Sequence, residues 1–149
     1  MKNHQKSTQL SIVIPVFNEE EVIPVLMEEL YRVCNSLGKN YEIIFVDDGS
    51  RDETPQILAQ LAQSDSRIKV LRFSRNFGHQ AAFSAGMDVA QGDLVVTMDG
   101  DLQHPPHLIP EFIKRSESGS DIVIGERLMN RQNSFIRETI GRGFYKFMN

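Results

Sequence analysis

Short apolar runs alternate along the chain with longer stretches in which apolar residues recur at helical spacing. Five runs predict strands, at residues 10–16, 41–46, 68–73, 94–98 and 121–124. The stretches between them place apolar residues three and four positions apart, which is typical of amphipathic helices. Strands joined by helices in this order predict right-handed crossovers. We therefore expect an α/β fold with a mostly parallel sheet and helices on both faces.

The expected ends of the helices carry residues that commonly begin or end a helix. Asn18 precedes three glutamates and is predicted to cap the first helix. The tetrapeptide SRDE before the second helix has the spacing of a capping box, and Thr54 followed by Pro55 offers an alternative start. Gly92 is predicted to end the third helix.

The composition is that of a folded domain. The 149 residues carry a formal net charge of −4 and 40% of them are hydrophobic, which excludes collagen-like, disordered and coiled-coil chains. We expect a polar tail at residues 1–9 and one domain at residues 10–149. The single cysteine, Cys34, excludes an intramolecular disulfide and is expected to be a small buried residue.

The sequence has neither a signal peptide nor an apolar run of the ~20 residues that cross a membrane, so we expect a cytoplasmic protein. The acidic balance argues against nucleic acid as the main partner. Residues 130–149, in contrast, carry four cations against the single acid Glu138, with the apolar spacing of a last amphipathic helix. This basic face is either simply solvated or a surface for phosphates or anionic lipid.

Polar clusters follow four of the predicted strands at the point where each strand ends. They are PVFNEE after the first strand, DDGS after the second, DGDLQ after the fourth and GER after the fifth. The carboxyl ends of parallel strands meet at one edge of a sheet, where open α/β sheets bind their ligands. The sequence therefore predicts a functional site at this edge.

Asp99 and Asp101, with Gly100 between them, are the strongest candidates for chemistry. Two carboxylates at this spacing can face one divalent cation, and Mg²⁺ and Mn²⁺ prefer hard oxygen ligands that they share with substrate phosphates. Gln103 is either a further ligand or donor at this site, or a solvated loop residue. The neighbouring His104 is expected to have a structural role.

Further acidic residues are predicted at the same edge. Of the pair Asp47 and Asp48, we expect Asp48 to contact the ligand through a base or ribose, and Asp47 to cap the turn at Gly49. Glu19 either faces the site or interacts with the dipole of the first helix.

Several common nucleotide-binding and hydrolase motifs are absent. The sequence has no GxGxxG after the first strand, no GxxxxGK[ST] loop, and neither GxSxG nor HExxH. A receiver-like or haloacid-dehalogenase-type phosphoryl-transfer domain remains an alternative, since both classes place acidic clusters at strand ends. Such phosphatases place DxD after the first strand, and such sites end a late strand in Lys, where this chain has Arg127.

The ordered set of segments PVFNEE, VDDGSRDET, SRNFGHQAA, MDGDLQHPP and IVIGERL resembles the family 2, GT-A-fold glycosyltransferases. Within that family the chain looks like the polyprenyl-phosphate sugar transferases, which include dolichyl-phosphate mannose synthase and the bacterial enzymes that load a sugar onto undecaprenyl phosphate. The resemblance implies a Rossmann-like GT-A domain that is incomplete at its C-terminus, because family catalytic domains are longer.

The resemblance implies how the nucleoside is held. Pro15, Phe17 and Glu19 match the family segment that borders the base and ribose, with Phe17 in place of the usual tyrosine, so that ring contact survives without the hydroxyl. Val46 and Asp48 match positions that hold the base.

The resemblance also implies how the phosphates are held. Residues 99–101 match the DxD site for the metal and diphosphate, and Gln103 matches a further donor or metal contact. Arg127 matches an arginine near the transferring sugar or phosphates. Arg137 matches a basic residue that meets the lipid phosphate.

The implied reaction transfers a sugar from a nucleotide diphosphate sugar, either a UDP-sugar or GDP-mannose, to a polyprenyl phosphate at the inner face of the membrane, in cell-envelope glycan biosynthesis. Mg²⁺ or Mn²⁺ held by Asp99 and Asp101, together with Arg127, would stabilise the departing nucleotide diphosphate. Because the domain is incomplete, the alternative is a remnant that binds nucleotide without transferring sugar. Self-association through a face left exposed is also open.

Overall fold

The computed structural model describes residues 9–125, which alternate between strands and helices. The strands are β1 (Leu10–Val16), β2 (Tyr41–Asp47), β3 (Ile68–Arg72) and β4 (Leu94–Thr97). The helices are α1 (Ile23–Ser36), α2 (Thr54–Ser64), α3 (His79–Val89) and α4 (Ile109–Glu117), and a short 3₁₀ helix (Pro106–Leu108) precedes α4. Four of the five predicted strands are confirmed, as are the helices that follow them.

The sheet has the strand order β3-β2-β1-β4, and every pairing in it is parallel. Leu10 of β1 lies opposite Tyr41 of β2 on one side and Leu94 of β4 on the other. Both β1 and β2 are buried along their whole length, as expected of strands covered on two faces. The parallel arrangement brings the carboxyl ends of all four strands to one edge.

Helices cover both faces of the sheet, as predicted. Apolar side chains of α1, α2 and α4 pack on the face that carries Ile12 and Phe45. On the opposite face, α3 packs Ala82 against Val13. A Cβ atom at Gly86 would overlap the side chain of Val13, so this glycine lets α3 lie directly on the sheet. No helix within residues 9–125 has the length and apolar character needed to cross a membrane.

The fifth predicted strand, at residues 121–124, is wrong. These residues pair with no strand in the described part of the chain, and the side chains of Ile122 and Ile124 are 80% and 83% exposed. An apolar run indicates a strand, but a strand forms only where a neighbour satisfies its backbone groups. The last predicted helix lies outside the described residues.

The predicted cap of α1 is also wrong. The helix begins at Ile23, and Asn18 lies earlier, with a φ of 55°. The side-chain oxygen of Asn18 instead accepts a hydrogen bond from the N–H of Arg51, at 2.9 Å. The capping box before α2 does not form, and α2 begins at the alternative position, Thr54 followed by Pro55.

Gly92 does not end α3, which ends at Val89. The N–H of Gly92 instead donates a hydrogen bond to Oγ of Ser11 at 2.8 Å. A Cβ at Gly92 would lie only 2.6 Å from the backbone nitrogen of Ser11. The glycine is therefore required by the close approach of the loop before β4 to the start of β1. Periodicity along a helix does not reveal such a contact.

Cys34 is buried on α1, as expected. Burial raises the pKa of its thiol to about 11. The side chain therefore stays a neutral thiol at physiological pH and serves as a small residue of the core.

An ionic and aromatic cluster joins the end of α2 to α1. Asp65 accepts hydrogen bonds from the guanidinium and the backbone N–H of Arg67, and from the hydroxyl of Tyr31. The guanidinium carbon lies 5.8 Å from the ring centroid of Tyr31 and 4.5 Å from that of Tyr41. The hydrogen bond from Arg67 is the main reason that the pKa of Asp65 is lowered to about 2.

We expect Asp65→Asn to lower the free energy of unfolding at neutral pH by about 1–3 kcal/mol, because the amide loses the charge-assisted pair with Arg67. The folded pKa lies below the ordinary value of 3.8, so the stabilisation is complete above that pH and is lost as the pH falls through about 2. Urea unfolding should therefore show the difference from wild type shrinking over that range. Asp88→Asn on exposed α3 surface is the control, and a difference independent of pH would contradict the assignment.

Candidate active site

A cavity of about 480 Å³ opens at the carboxyl edge of the sheet. Its lining residues are Pro15, Val16, Phe17, Glu19, Asp48, Asn76, Gly78, His79, Ala82, Asp99, Gly100 and Asp101. Seven of them were predicted from the sequence, and they come from the end of β1 and from the segments that follow β1, β2 and β4. The structure therefore brings together residues that lie far apart along the chain.

The segment after β1 is held by Ser50, in the loop after β2, and by Thr54, the first residue of α2. The N–H of Asn18 donates to Oγ of Ser50 at 2.9 Å, and the N–H of Glu19 donates to Oγ1 of Thr54 at 2.9 Å. The two hydroxyl oxygens satisfy backbone donors of a loop, which no strand or helix ladder would otherwise pair. These bonds fix the backbone that presents Phe17 and Glu19 to the cavity, with the ring of Phe17 41% exposed.

Asp47 and Asp48 have different roles. Asp47 is buried, and its Oδ1 accepts the N–H of Ser50 at 2.8 Å, which confirms that it caps the turn. Asp48 lines the cavity, and its two oxygens accept the N–H groups of Phe77 at 2.7 Å and Gly78 at 2.9 Å. Asp48 therefore holds the segment after β3 in place. Its predicted contact with a ligand stays a prediction.

Sequence reasoning missed the segment after β3, which contributes Asn76, Gly78 and His79 to the cavity. The segment SRNFGH is polar and follows a strand of the same parallel sheet, so the argument used for the other clusters applies to it equally. Gly49 allows its approach: this residue has a φ of 76°, and a Cβ there would lie 2.7 Å from the backbone nitrogen of Asn76.

The turn at residues 99–103 directs Asp101 toward the cavity. A Cβ at Gly100 would lie 2.8 Å from Cγ1 of Val16, so a glycine is needed for this turn to pack on the end of β1. Leu102 has a φ of 60°, which is uncommon for a residue with a side chain. The N–H of Gln103 then donates to Oδ1 of Asp101 at 2.9 Å.

Two histidines flank the carboxylate of Asp99. Nε2 of His79 lies 3.4 Å from Oδ1, and Nδ1 of His104 lies 3.2 Å from Oδ2. Nδ1 of His104 is also 3.0 Å from the backbone nitrogen of Asp99. This ring nitrogen accepts the N–H when it is unprotonated and donates to the carboxylate when it is protonated, so the two bonds exclude each other. In either state His104 supports the DGD turn, in keeping with the structural role expected for it.

Four carboxylates face the same cavity: those of Glu19, Asp48, Asp99 and Asp101. Burial raises the pKa of Glu19, and the carboxylates of Asp101 and Asp52 raise it further. Carboxylates that share one cavity repel one another, and a bound cation would relieve this repulsion.

The donors fit a divalent cation that is shared with a ligand rather than one enclosed by protein. Within residues 9–125, no three His, Cys, Asp or Glu side chains are grouped so that they could hold a metal ion by themselves. Asp99 and Asp101 supply two hard oxygen donors. Ions such as Mg²⁺ commonly take one or two carboxylates and complete their shell with water and phosphate oxygens. The side chains present are therefore compatible with Mg²⁺ or Mn²⁺.

Some predicted site residues lie elsewhere. The side chain of Val46 is buried beneath α3, close to Gly86, and does not line the cavity, because the alternation along β2 turns it toward the covering helix. Gln103 is not among the lining residues, and its role as a ligand stays a prediction. Arg127 and Arg137 lie outside the described residues.

Residues 11–148 match the model of glycosyl transferase family 2, so the chain belongs to this family. Membership rules out the phosphoryl-transfer alternative.

Two curated relatives show the level of similarity. The chain is 44% identical over 135 residues to the undecaprenyl-phosphate 4-deoxy-4-formamido-L-arabinose transferase of Photorhabdus laumondii, covering 90% of this chain and 41% of the relative. It is 43% identical over 140 residues to the uncharacterized glycosyltransferase YkcC of Bacillus subtilis, covering 94% and 43%. The chain thus spans less than half the length of these relatives.

The fold is that of the GT-A glycosyltransferases. It resembles the crystal structure of S. aureus TarS 1–349 in complex with UDP-GlcNAc, with a TM-score of 0.63 and 22% identity over 83% of this chain and 37% of that chain. The complex of the same protein with UDP gives a TM-score of 0.52 and 26% identity over 63% and 28%.

Proposed function

We propose that the protein containing this chain is a hexosyltransferase, which transfers a sugar from a nucleotide diphosphate sugar to a polyprenyl phosphate. The observation that carries the proposal is the cavity that holds Asp99 and Asp101 together with Phe17 and Glu19. One part of its lining offers a ring and backbone for a nucleoside, and the other offers carboxylates for a metal-bound diphosphate. Membership of glycosyl transferase family 2 supports this function.

The nucleoside is proposed to lie against the segment after β1. Pro15 and the exposed ring of Phe17 give the base an apolar surface. The oxygens of Asp48 each accept one backbone N–H, and a carboxylate oxygen has a second lone pair that can accept a ribose hydroxyl.

Asp99 and Asp101 would hold Mg²⁺ or Mn²⁺, with Gln103 as a further donor. When bound, the ion neutralises the negative charge of the departing nucleotide diphosphate. Arg127 is proposed to add positive charge beside the same leaving group. The four carboxylates of the cavity would otherwise repel the diphosphate, so we expect nucleotide binding to depend on the metal.

The acceptor is proposed to be a polyprenyl phosphate at the membrane surface. Its phosphate is already ionised near neutral pH, so it requires positioning rather than deprotonation. Arg137 and its basic neighbours would attract it. The relative from Photorhabdus laumondii, 44% identical, carries undecaprenyl phosphate in its name. Both a UDP-sugar and GDP-mannose stay candidates for the donor, because similar folds are found in complex with UDP and with GDP-mannose, at TM-scores of 0.52 and 0.51.

A calorimetric titration tests the donor half of the proposal. We expect UDP to bind the purified chain at least about tenfold more tightly with Mn²⁺ than without it, because the ion screens the diphosphate from the cavity carboxylates. Uridine lacks the diphosphate and is the control, for which Mn²⁺ should change little. Metal-dependent binding of GDP instead would assign a GDP-sugar. Binding of neither nucleotide would contradict the proposal.

The acceptor half needs a transfer assay. Nucleotide sugar, undecaprenyl phosphate and Mn²⁺ should together yield a lipid-linked sugar. Metal-dependent nucleotide binding with no transfer would favour the non-catalytic alternative for this chain.

A further inference from the structure

The first residue of α3 reaches across the cavity to the DGD turn. His79 lines the cavity, and its Nε2 lies 3.4 Å from Oδ1 of Asp99. The two residues belong to different crossovers of the sheet, so their approach is produced by the fold and not by sequence proximity. The His79 side chain is 55% exposed, which leaves it free of a role in the core.

The backbone that carries His79 is fixed by a buried carboxylate. Asp48 is only 4% exposed, and it accepts the N–H groups of Phe77 and Gly78, the two residues immediately before His79. Gly78 has a φ of 96°, a value that residues with side chains rarely adopt. Asp48 therefore fixes the backbone at the start of α3, from which the side chain of His79 extends.

The second oxygen of Asp99 is also flanked. Nδ1 of His104 lies 3.2 Å from Oδ2, whereas His79 approaches Oδ1. When Nδ1 of His104 accepts the backbone N–H of Asp99, it makes no hydrogen bond to Oδ2, and His79 is then the imidazole placed to donate to the carboxylate. Each oxygen retains a lone pair for a cation.

We propose that His79 is a positioning residue for Asp99, holding its carboxylate in the orientation that receives a divalent cation. The inference rests on the proposed function. Outer partners that donate a hydrogen bond to a metal ligand fix its orientation, and losing one typically weakens metal affinity ~10–100-fold. At 3.4 Å the imidazole and the carboxylate are within ion-pair distance, and polar contacts at such sites often tighten into hydrogen bonds only when the ligand binds.

The experiment compares His79→Ala and His79→Gln with the wild-type chain. Mn²⁺ binding in the presence of UDP is measured by electron paramagnetic resonance, and UDP binding without metal by calorimetry. We expect His79→Ala to weaken Mn²⁺ binding about 10–100-fold. Glutamine should restore most of the affinity, because its amide nitrogen donates from nearly the position of Nε2. His107→Ala, at an exposed histidine of the 3₁₀ helix, is the matched control.

Two further readouts separate positioning from other roles. UDP affinity without metal and the unfolding midpoint should be unchanged in both His79 variants. Wild-type Mn²⁺ affinity in His79→Ala would overturn the inference and leave the proposed function intact. An equal loss of metal-free UDP affinity would also overturn it, because His79 would then contact the nucleotide itself. A wild-type chain in which neither UDP binding nor GDP binding depends on Mn²⁺ would refute the proposed function, and the inference with it. If only GDP binding depends on Mn²⁺, the same comparison is made with GDP.

Discussion

Asp101→Ala should abolish the metal-dependent part of nucleotide binding, weakening the affinity for UDP in the presence of Mn²⁺ by about 100-fold or more. The estimate follows from the loss of a proposed direct ligand, since losing an outer partner alone costs ~10–100-fold. Without metal, UDP should bind as well as or better than to wild type, because one carboxylate that repels the diphosphate is gone. Calorimetry with and without Mn²⁺ measures both effects.

The same substitution should leave the fold intact. Asp101 is exposed, and its carboxylate raises the pKa of Glu19, so removing it should lower that pKa toward its ordinary value and not destabilise the chain. Carbon-detected NMR titration of Glu19 checks the pKa, and thermal unfolding checks the fold. Asp121→Ala makes the same charge change at an exposed position away from the cavity lining. An equal loss of Mn²⁺-dependent binding in that control would show a general charge effect and contradict the site.

Gly49→Ala should be the most damaging substitution of a small residue near the site. Gly49 has a φ of 76°, and an added Cβ would lie 2.7 Å from the backbone nitrogen of Asn76 and 2.8 Å from Cα of Arg75. The left-handed backbone costs roughly 1–2 kcal/mol for a residue with a side chain, and overpacking typically costs a further ~1–3 kcal/mol. We therefore expect the free energy of unfolding to fall by about 2–5 kcal/mol.

Gly38→Ala separates the two causes. Gly38 has a similar φ of 64°, but an added Cβ there meets nothing within 4 Å. Gly38→Ala should therefore lower the free energy of unfolding only by the cost of the left-handed backbone, about 1–2 kcal/mol, as measured by urea unfolding. Gly49→Ala should in addition weaken UDP binding, because it displaces the segment that carries Asn76 into the cavity. If Gly49→Ala and Gly38→Ala were equally stable and both bound UDP as the wild-type chain does, the segment after β3 would accommodate the added Cβ without loss of stability, which would contradict this prediction.

The fold was largely predictable because most of its strands can be recognised from their own sequence. The segments that form β1 and β2 are continuous apolar runs between polar clusters, and they need no knowledge of their neighbours to be recognised. Residues 121–124 have the same local pattern and form no strand, because pairing depends on a partner that local pattern does not report. Two helix boundaries were predicted wrongly for a related reason, because Asn18 and Gly92 form hydrogen bonds with residues that are distant in sequence.

The site was predictable where chemistry is concentrated in a motif. The carboxylates of Asp99 and Asp101 stand out because two acids directly after an apolar strand have few structural reasons to be there. His79 carries no such signal, since a single histidine at a helix start is common and its contact with Asp99 is created by the sheet. The double hydrogen bond of Asp48 to the segment after β3 likewise appears only in three dimensions.

The attachment of β4 beside β1 has a consequence for the order of folding. Ser11 and Gly92 are 81 positions apart and yet share a hydrogen bond, so this pairing closes one of the longest loops in the described part of the chain. Contacts of such long range form late, because their entropic cost must be met before they contribute stability. A chain emerging from the ribosome holds β1 with one unpaired edge until β4 arrives. Asp99 and Asp101 thus join the site after Asp48, and a nucleotide that contacted all three would stabilise β4 in its place beside β1.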